Sequence, residues 1–300
     1  MAENVLIAYG VGQDYDYNFT SDGGEILAGH TDSTFPATNV AQYDVEEPWR
    51  TRWGPPVVGP EFDTRTATFY LTLDAAYKIG LFVILNHNFD DMATFATNAG
   101  GNFTVELQGS EGGFDIDWRV DLITLRGIDP IVHRPENTTA YRYWRLEIIL
   151  IVPNDVDVSD NQCSIGRMFL NDEALCFQPS INHSREFGLT YHDPSIVSRT
   201  VSGARRATEF DHYRSLVLPF EKLESADWGA IETIYKNQGR VNPIFVLPSP
   251  HLVTTGEAAP FVNYDPDAMY GYFPASMTFN KIQVGIQTAS VTLDITEAIG

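Results

Sequence analysis

FDIDWRVDL, residues 114–122, alternates apolar and polar side chains without a break. Successive side chains of a strand point to opposite faces, so this period of two predicts a strand with one face on a core and one in water. YWRLEIIL at 143–150 alternates in the same way, but both of its faces become apolar toward the end. That ending predicts a strand covered on both sides.

Further extended runs at 66–73, 79–85 and 103–108 are separated by Gly-, Asp- and Pro-rich turns. Many short strands with frequent turns are typical of a β-sandwich or jelly roll. The pattern changes at Ser225, which we expect to cap a helix whose apolar residues recur at helical spacing until Gly239 ends it. We therefore predict an all-β (mainly β) fold, with one helix near 225–238 packed on a sheet.

The composition is acidic and globular. The 300 residues include 19 Lys and Arg against 40 Asp and Glu, a formal net charge of −21, and 43% of them are hydrophobic. Such a charge disfavours nucleic acid and anionic membrane surfaces as partners, because both are held by cations. We see no secretion signal and no apolar run long enough to cross a membrane, so we expect a soluble protein made in a cytoplasm, with no membrane insertion.

Short motifs along the first half, in order, resemble the galactose-binding-like jelly roll of the discoidin and coagulation-factor C-domain type. They are FPATNV at 35–40, EPWRT at 47–51, FYLTL at 69–73 with IGLFVIL at 79–85, TVELQGS at 104–110 and YRYWRLEI at 141–148. The resemblance implies a jelly-roll sandwich over residues 25–160, with 1–24 as an N-terminal arm and 161–300 as a second β-rich domain that contains the helix.

NHN at 86–88 and several segments of the second half resemble virion proteins of tailed bacteriophages. The segments include IGRMFL at 165–170, YRSLVL at 213–218, NPIFV at 242–246 and YGYF at 270–273. This resemblance implies a structural component of a phage tail that forms a homo-oligomer, contacts other virion or tail proteins and resides in the virion. No calcium loop or sugar-binding loop of the galactose-binding-like family is matched residue by residue, so the resemblance implies no carbohydrate activity.

No catalytic, cofactor-binding or metal-binding residue is predicted, and we expect the protein not to be an enzyme. Asp90 and Asp91 form an acidic pair in a predicted loop, but such pairs are expected in so acidic a chain. Asp155, Asp157 and Asp160 lack the glycine and the terminal glutamate of a calcium loop. Cys163 and Cys176 are interpreted as buried side chains, because two thiols without clustered histidines form neither a disulfide framework nor a zinc site.

Five residues are candidates for glycan binding or for an interface: Trp49, Arg50, Trp53, His87 and Asn88. Exposed Trp49 and Trp53 would stack on sugar rings beside hydrogen-bonding Arg50 and Asn88. In the alternative, Trp49 fills the base of the sandwich and Arg50 holds a loop carboxylate, while His87 bonds to loop backbone rather than to a metal.

Two functions of different classes follow. The first is a non-enzymatic structural and assembly component of a phage virion that acts through oligomeric interfaces. The alternative is a carbohydrate-binding module that recognises host surface glycans. Because jelly rolls host both functions, the fold class alone does not select between them.

Overall fold

A computed structural model describes residues 5–8, 16–17, 26–27, 49–51, 62–112, 116–122, 130–134, 139–180, 182, 187–199, 205–208, 211–248, 251–253, 262–264, 267–282 and 288–298. The strands are β1 (Leu6–Ala8), β2 (Asp16–Tyr17), β3 (Ile26–Leu27), β4 (Trp49–Arg50), β5 (Phe62–Tyr77), β6 (Ile79–His87), β7 (Asn102–Ser110), β8 (Trp118–Asp121), β9 (Ile131–His133), β10 (Tyr141–Pro153), β11 (Ser164–Asp172), β12 (Cys176–Phe177), β13 (Gly188–His192), β14 (Ile196–Arg199), β15 (Arg205–Thr208), β16 (Tyr213–Glu224), β17 (Ile244–Leu247), β18 (His251–Val253), β19 (Val262–Tyr264), β20 (Met269–Tyr272), β21 (Phe279–Ile282) and β22 (Thr288–Glu297). The helices are α1 (Phe89–Asn98) and α2 (Ser225–Gln238), and a short 3-10 helix spans Glu173–Leu175. The prediction of a mainly β chain is confirmed.

The chain divides into two compact units. The sandwich unit comprises Gly12–Cys176, His251–Pro266 and Gly300, and the sheet-and-helix unit comprises Met1–Val11, Phe177–Pro250 and Asp267–Ile299. None of the described helices is long and apolar enough to span a bilayer.

The sandwich unit contains two antiparallel five-stranded sheets. One has the order β3-β5-β10-β7-β8, and the other has the order β2-β11-β6-β9 with β4 also paired to β11. Apolar residues of both sheets share one core, in which Phe69, Leu107 and Leu146 of the first sheet join Phe82 and Met168 of the second. The alternation of β10 has the predicted outcome on the core face, since its even-numbered residues from Trp144 to Val152 are buried. The predicted cover of the second face is incomplete, because Ile149 and Ile151 are only half-buried.

The alternating stretch at 114–122 forms a shorter strand than predicted. β8 begins only at Trp118, and Ile116, which the pattern placed on the core face, is 45% exposed. Phe114 and Asp115 lie outside the described residues. The core-facing pattern is kept by Val120 and Leu122, which are buried.

α1 is a helix that the sequence analysis placed in a loop. Its buried residues Phe89, Met92, Ala93 and Ala96 recur at helical spacing and face the sandwich core. Asp90 and Asp91 are therefore exposed residues of its first turn. Carboxylates there are favoured by the positive end of the helix dipole, so this pair has a structural explanation.

The sheet-and-helix unit carries α2 against the apolar face of its sheet. The strand order is β1-β17-β20-β22-β16-β13, with β21 also paired to β22. Ile231 and Ile234 of α2 are buried in a core with strand residues such as Leu218 and Leu293. The helix has the predicted bounds and ends at Gly239, whose φ of 58° is the left-handed conformation that glycine tolerates.

The start of α2 differs from the prediction. Glu224 occupies the N-cap position without a side-chain cap, and Ser225 is the first helical residue. Asp227 in the first turn instead accepts hydrogen bonds from the backbone N–H of Ser180, at 3.0 Å, and from its hydroxyl. This contact joins the chain before β13 to the beginning of α2.

Candidate functional site

Four of the five sequence candidates meet at the beginning of β11. Ser164 is the register partner of Arg50, and Ile165 lies between Trp49 on β4 and His87 on β6. Trp53 lies outside the described residues.

Trp49 is a core residue. Its side chain is fully buried and packs edge-on against Phe69, with ring centroids 4.6 Å apart. A buried ring has no face for a sugar, so the exposed-plane interpretation fails for Trp49 and the interpretation in which it fills the sandwich fits. Thr51, the residue that follows β4, forms two hydrogen bonds with Cys163. The Thr51 N–H donates to the Cys163 carbonyl at 2.9 Å, and the Cys163 N–H donates to Thr51 Oγ1 at 2.9 Å.

The side chains of Asn88 and His87 both form hydrogen bonds to backbone groups. The Asn88 side chain donates to the carbonyl of Gln162 at 2.7 Å and accepts from the N–H of Ser164 at 2.8 Å. His87 Nδ1 accepts from the N–H of Phe89 at 3.3 Å, and the two rings stack with centroids 4.5 Å apart. The geometry therefore assigns the Asn88 side chain to holding the segment that enters β11, and the His87 side chain to holding the first residue of α1.

A different group of polar side chains lies on the outer face of the first sheet, opposite the core. We call it the sheet-face network and define it as Tyr70, Glu106, Gln108, Arg145 and Glu147. Arg145 Nε donates to Gln108 Oε1 at 2.6 Å, and Gln108 Nε2 donates to Glu106 Oε2 at 3.0 Å and to Glu147 Oε2 at 3.2 Å. Gln108 is only 3% exposed, whereas the four side chains around it are half-buried.

Strand register explains why these residues meet. β10 lies between β5 and β7, so Arg145 is opposite both Tyr70 and Gln108. Two positions further along β10, Glu147 is opposite Glu106, and Glu106 is in turn opposite exposed Asp121 on β8. Three carboxylates thus occupy adjacent strands of one face.

Two arginines of β10 lie over tyrosine rings. The Arg145 guanidinium carbon lies 5.9 Å from the centroid of the Tyr70 ring. Arg142 is placed similarly over Tyr143, at 5.5 Å. Such cation–π contacts hold planar groups in fixed positions on the surface.

The sequence signal for this network is the same alternation that predicted the strands. It places Arg145 and Glu147 on the polar face of one strand and Glu106 and Gln108 on that of another. The strand order, which brings them together, has no short-range signal in the sequence.

The described part of the chain contains no assembled metal site and no reactive thiol. No group of three or more His, Cys, Asp or Glu side chains there is arranged to hold a metal ion. Cys163 is buried as predicted, whereas Cys176 is only partly buried as a residue. Burial of the sulfur raises the pKa of the Cys163 thiol above its usual range, and it raises that of Cys176 to about 12. At neutral pH both remain thiols, which are poor nucleophiles and poor metal ligands.

His133 is a buried histidine on β9 that the sequence analysis did not single out. It is fully buried, and its ring stacks with Trp118 at a centroid distance of 5.8 Å. Neither ring nitrogen has a hydrogen-bond partner in the described part of the protein. Burial lowers its pKa from 6.5 to about 4, so the ring is neutral at pH 7.

Comparison with known proteins finds no matching family model and no matching curated protein. Among solved structures, a mutant of the lectin binding domain of lectinolysin complexed with Lewis b is 12% identical, with a TM-score of 0.35, over 52% of this chain and 96% of that chain. The lectin domain of lectinolysin complexed with Lewis B antigen is also 12% identical over the same shares of each chain, with a TM-score of 0.34. A family 89 glycoside hydrolase from Clostridium perfringens in complex with PUGNAc is 10% identical, with a TM-score of 0.29, over 53% of this chain and 15% of that chain.

Proposed function

We propose that this protein is a non-enzymatic carbohydrate-binding module and that it binds glycan on the sheet-face network. The observation that supports this is the set of hydrogen bonds that holds Arg145, Glu106 and Glu147 around the buried amide of Gln108. It places donors, acceptors and the Tyr70 ring side by side on one sheet face.

The chemistry of the network suits a sugar. A pyranose ring offers hydroxyl groups that both donate and accept, and an apolar face that packs on an aromatic ring. Glu106 and Glu147 accept hydrogen bonds, Arg145 donates them, and Tyr70 supplies the ring. Because Gln108 already orders the charged groups, less conformational entropy is lost on binding.

The pairing of like charges also supports a binding role. Carboxylates directly opposite each other on neighbouring strands destabilise a sheet, and both Glu147 and Asp121 are opposite Glu106. Locally unfavourable choices of this kind are expected where function, rather than stability, selects the residues.

The same geometry favours binding over hydrolysis. A glycosidase needs one carboxyl group that gives a proton and one that stays ionised, so the surroundings of the two must differ. Glu106 and Glu147 instead accept from the same amide nitrogen at nearly equal distances. We therefore propose that the protein holds a glycan without cleaving it.

The test combines a glycan array with calorimetry on the best ligand. We expect saturable binding that weakens by about tenfold or more in Arg145→Ala, since a hydrogen bond to a charged group contributes roughly 1.5–3 kcal/mol. Tyr70→Ala should weaken it as well. Arg240→Ala removes an exposed arginine from the other unit and serves as the matched control with unchanged affinity.

Two results would overturn the proposal. One is the absence of saturable binding to any polysaccharide or array glycan. The other is binding that survives Arg145→Ala and Tyr70→Ala but is lost in Trp53→Ala, which would move the site to the loop predicted from the sequence.

The phage-tail function stays a prediction that rests on the sequence resemblance. The same resemblance is the basis for proposing other virion or tail proteins as partners and the virion as the location. Mass spectrometry of purified phage particles tests it, and absence of the chain from every particle that its host genome encodes would contradict it.

A further inference from the structure

A two-stranded hairpin in the sheet-and-helix unit concentrates positive charge in an acidic chain. β14 and β15 pair only with each other among the described strands. Their register places Arg199 opposite Arg205 and Ser198 opposite Arg206. Residues 196–208 contain these three arginines and no Asp or Glu, although the chain as a whole carries a net charge of −21.

The hairpin has little stability of its own. A two-stranded hairpin is at best marginally stable in water, and like charges at directly opposed positions destabilise it further. Arg199 and Arg205 are such a pair. An anionic partner would turn this repulsion into a favourable interaction with both residues.

We propose that this hairpin binds an acidic surface of a second copy of the chain. One acidic surface that fits is the loop after β10, where Asp155, Asp157 and Asp160 are three exposed carboxylates within six residues. The N–H and hydroxyl of Ser159 lower the pKa of Asp157, so this carboxylate is ionised at neutral pH. Arginine guanidinium groups pair well with carboxylates, because both are planar and form two parallel hydrogen bonds.

Charge favours a copy of this chain over a polyanion. A nucleic acid carries one charge per roughly 1.7 Å of duplex, so three arginines neutralise few of the phosphates that the rest of this acidic protein repels. A copy of the chain offers spaced carboxylates on a surface of much lower charge density. Nucleic acid is therefore not an expected partner of the hairpin.

The contact joins two different surfaces, the hairpin of one copy and the loop of the next. Such a contact gives a two-fold dimer when each copy offers both surfaces to the other, and rings or filaments when it is made in one direction only. The associated fraction should therefore rise with the protein concentration.

Salt should affect this association in two opposite ways. At about 0.01 M salt the screening length is near 30 Å, so the like net charges of the two copies oppose contact. Near 0.15 M it falls to about 8 Å, which screens the overall repulsion more than the close Arg–Asp pairs, and at about 1 M those pairs are screened too. We expect association to be strongest at the intermediate salt concentration.

The experiment is sedimentation velocity on the full chain at these three salt concentrations and at several protein concentrations. The wild type should show a dimer or larger species near 0.15 M and less association at both extremes. Arg199→Gln, Arg205→Gln and Arg206→Gln combined should be monomeric, and Asp155→Asn with Asp157→Asn and Asp160→Asn should reproduce that loss. Lys78→Gln, Lys236→Gln and Arg240→Gln combined remove the same charge elsewhere and should associate like the wild type.

Circular dichroism of each variant separates loss of association from loss of folding. Only variants whose thermal melt matches that of the wild type are compared with it in sedimentation. A wild type that is monomeric at all three salt concentrations overturns the proposal. An arginine variant that still associates also overturns it. A third overturning result is a monomeric wild type that binds dextran sulfate through the hairpin arginines, because the partner would then be a polyanion and not a second copy. Glycan binding by the Arg145 network is measured separately, so failure of one proposal leaves the other intact.

Discussion

Acidification should destabilise this protein through His133. In the unfolded chain the histidine titrates near 6.5, whereas burial lowers the pKa of the folded residue to about 4. Between these two pH values the unfolded chain binds a proton that the folded chain does not, so the free energy of unfolding falls as the pH falls. Above pH 6.5 the contribution is constant, and below pH 4 no further loss comes from this residue.

The magnitude follows from the size of the shift. Each pKa unit corresponds to about 1.4 kcal/mol, so a shift from 6.5 to about 4 predicts a loss of roughly 3 kcal/mol between pH 7 and pH 4. That is a large part of the ~5–15 kcal/mol by which a domain is stable. The exposed carboxylates Asp157 and Asp193 have lowered pKa values, so the stability that they contribute is lost mainly at the acid end of this range and below it.

Urea unfolding followed by tryptophan fluorescence at pH 7, 6, 5 and 4 measures the effect. His133→Phe keeps a ring under Trp118 and removes the titrating group, so its stability should fall by about 3 kcal/mol less than that of the wild type. His212→Phe, which removes a histidine whose side chain is 66% exposed, should follow the wild type. His133→Leu provides a second variant in case phenylalanine does not fit. Equal pH dependence in the wild type and in both His133 variants would refute the reasoning.

Three further predictions concern stability and reactivity. Glu106→Gln removes like-charge repulsion and keeps an acceptor for Gln108, so the melting temperature should rise, by an amount equivalent to a few tenths to about 1 kcal/mol; a lower melting temperature would contradict the assigned register. Gly101→Ala would place a Cβ 1.9 Å from a backbone oxygen of β10 and should cost roughly 1–3 kcal/mol in chemical unfolding, whereas Gly112→Ala, with open space around its Cβ, should cost far less. Cys163 should react with a thiol reagent at pH 8 only after unfolding, because burial raises its pKa and excludes the reagent; rapid labelling of the native protein at this residue would show that the segment opens.

Local patterns carried the parts of the fold that depend on neighbours in the chain. α2 was predicted with its bounds, because its apolar spacing is helical and Gly239 ends it. α1 has the same spacing at Phe89, Met92, Ala93 and Ala96, but ten residues directly after a buried strand resemble a polar loop. The acidic pair that suggested a loop is in fact favourable at the N-terminus of a helix.

The predicted site residues show the limit of reading chemistry from residue types. Trp49 and Asn88 are residue types that sugar sites use. Trp49, however, is fully buried, and the amide nitrogen and oxygen of Asn88 are both bonded to backbone. Residue type states what a side chain is able to do. Burial and existing hydrogen bonds decide whether it is available for a ligand.

Alternation with a period of two by itself determined which side chains of β10 face the core and which face outward, because that period belongs to the strand and needs no partner. Only the tertiary structure decided that β10 lies between β5 and β7, since strand order is set by the packing of residues far apart in the chain. That order places Arg145 and Glu147 around Gln108. The same long-range packing buries His133 under Trp118, and the exclusion of water from that ring is what lowers its pKa.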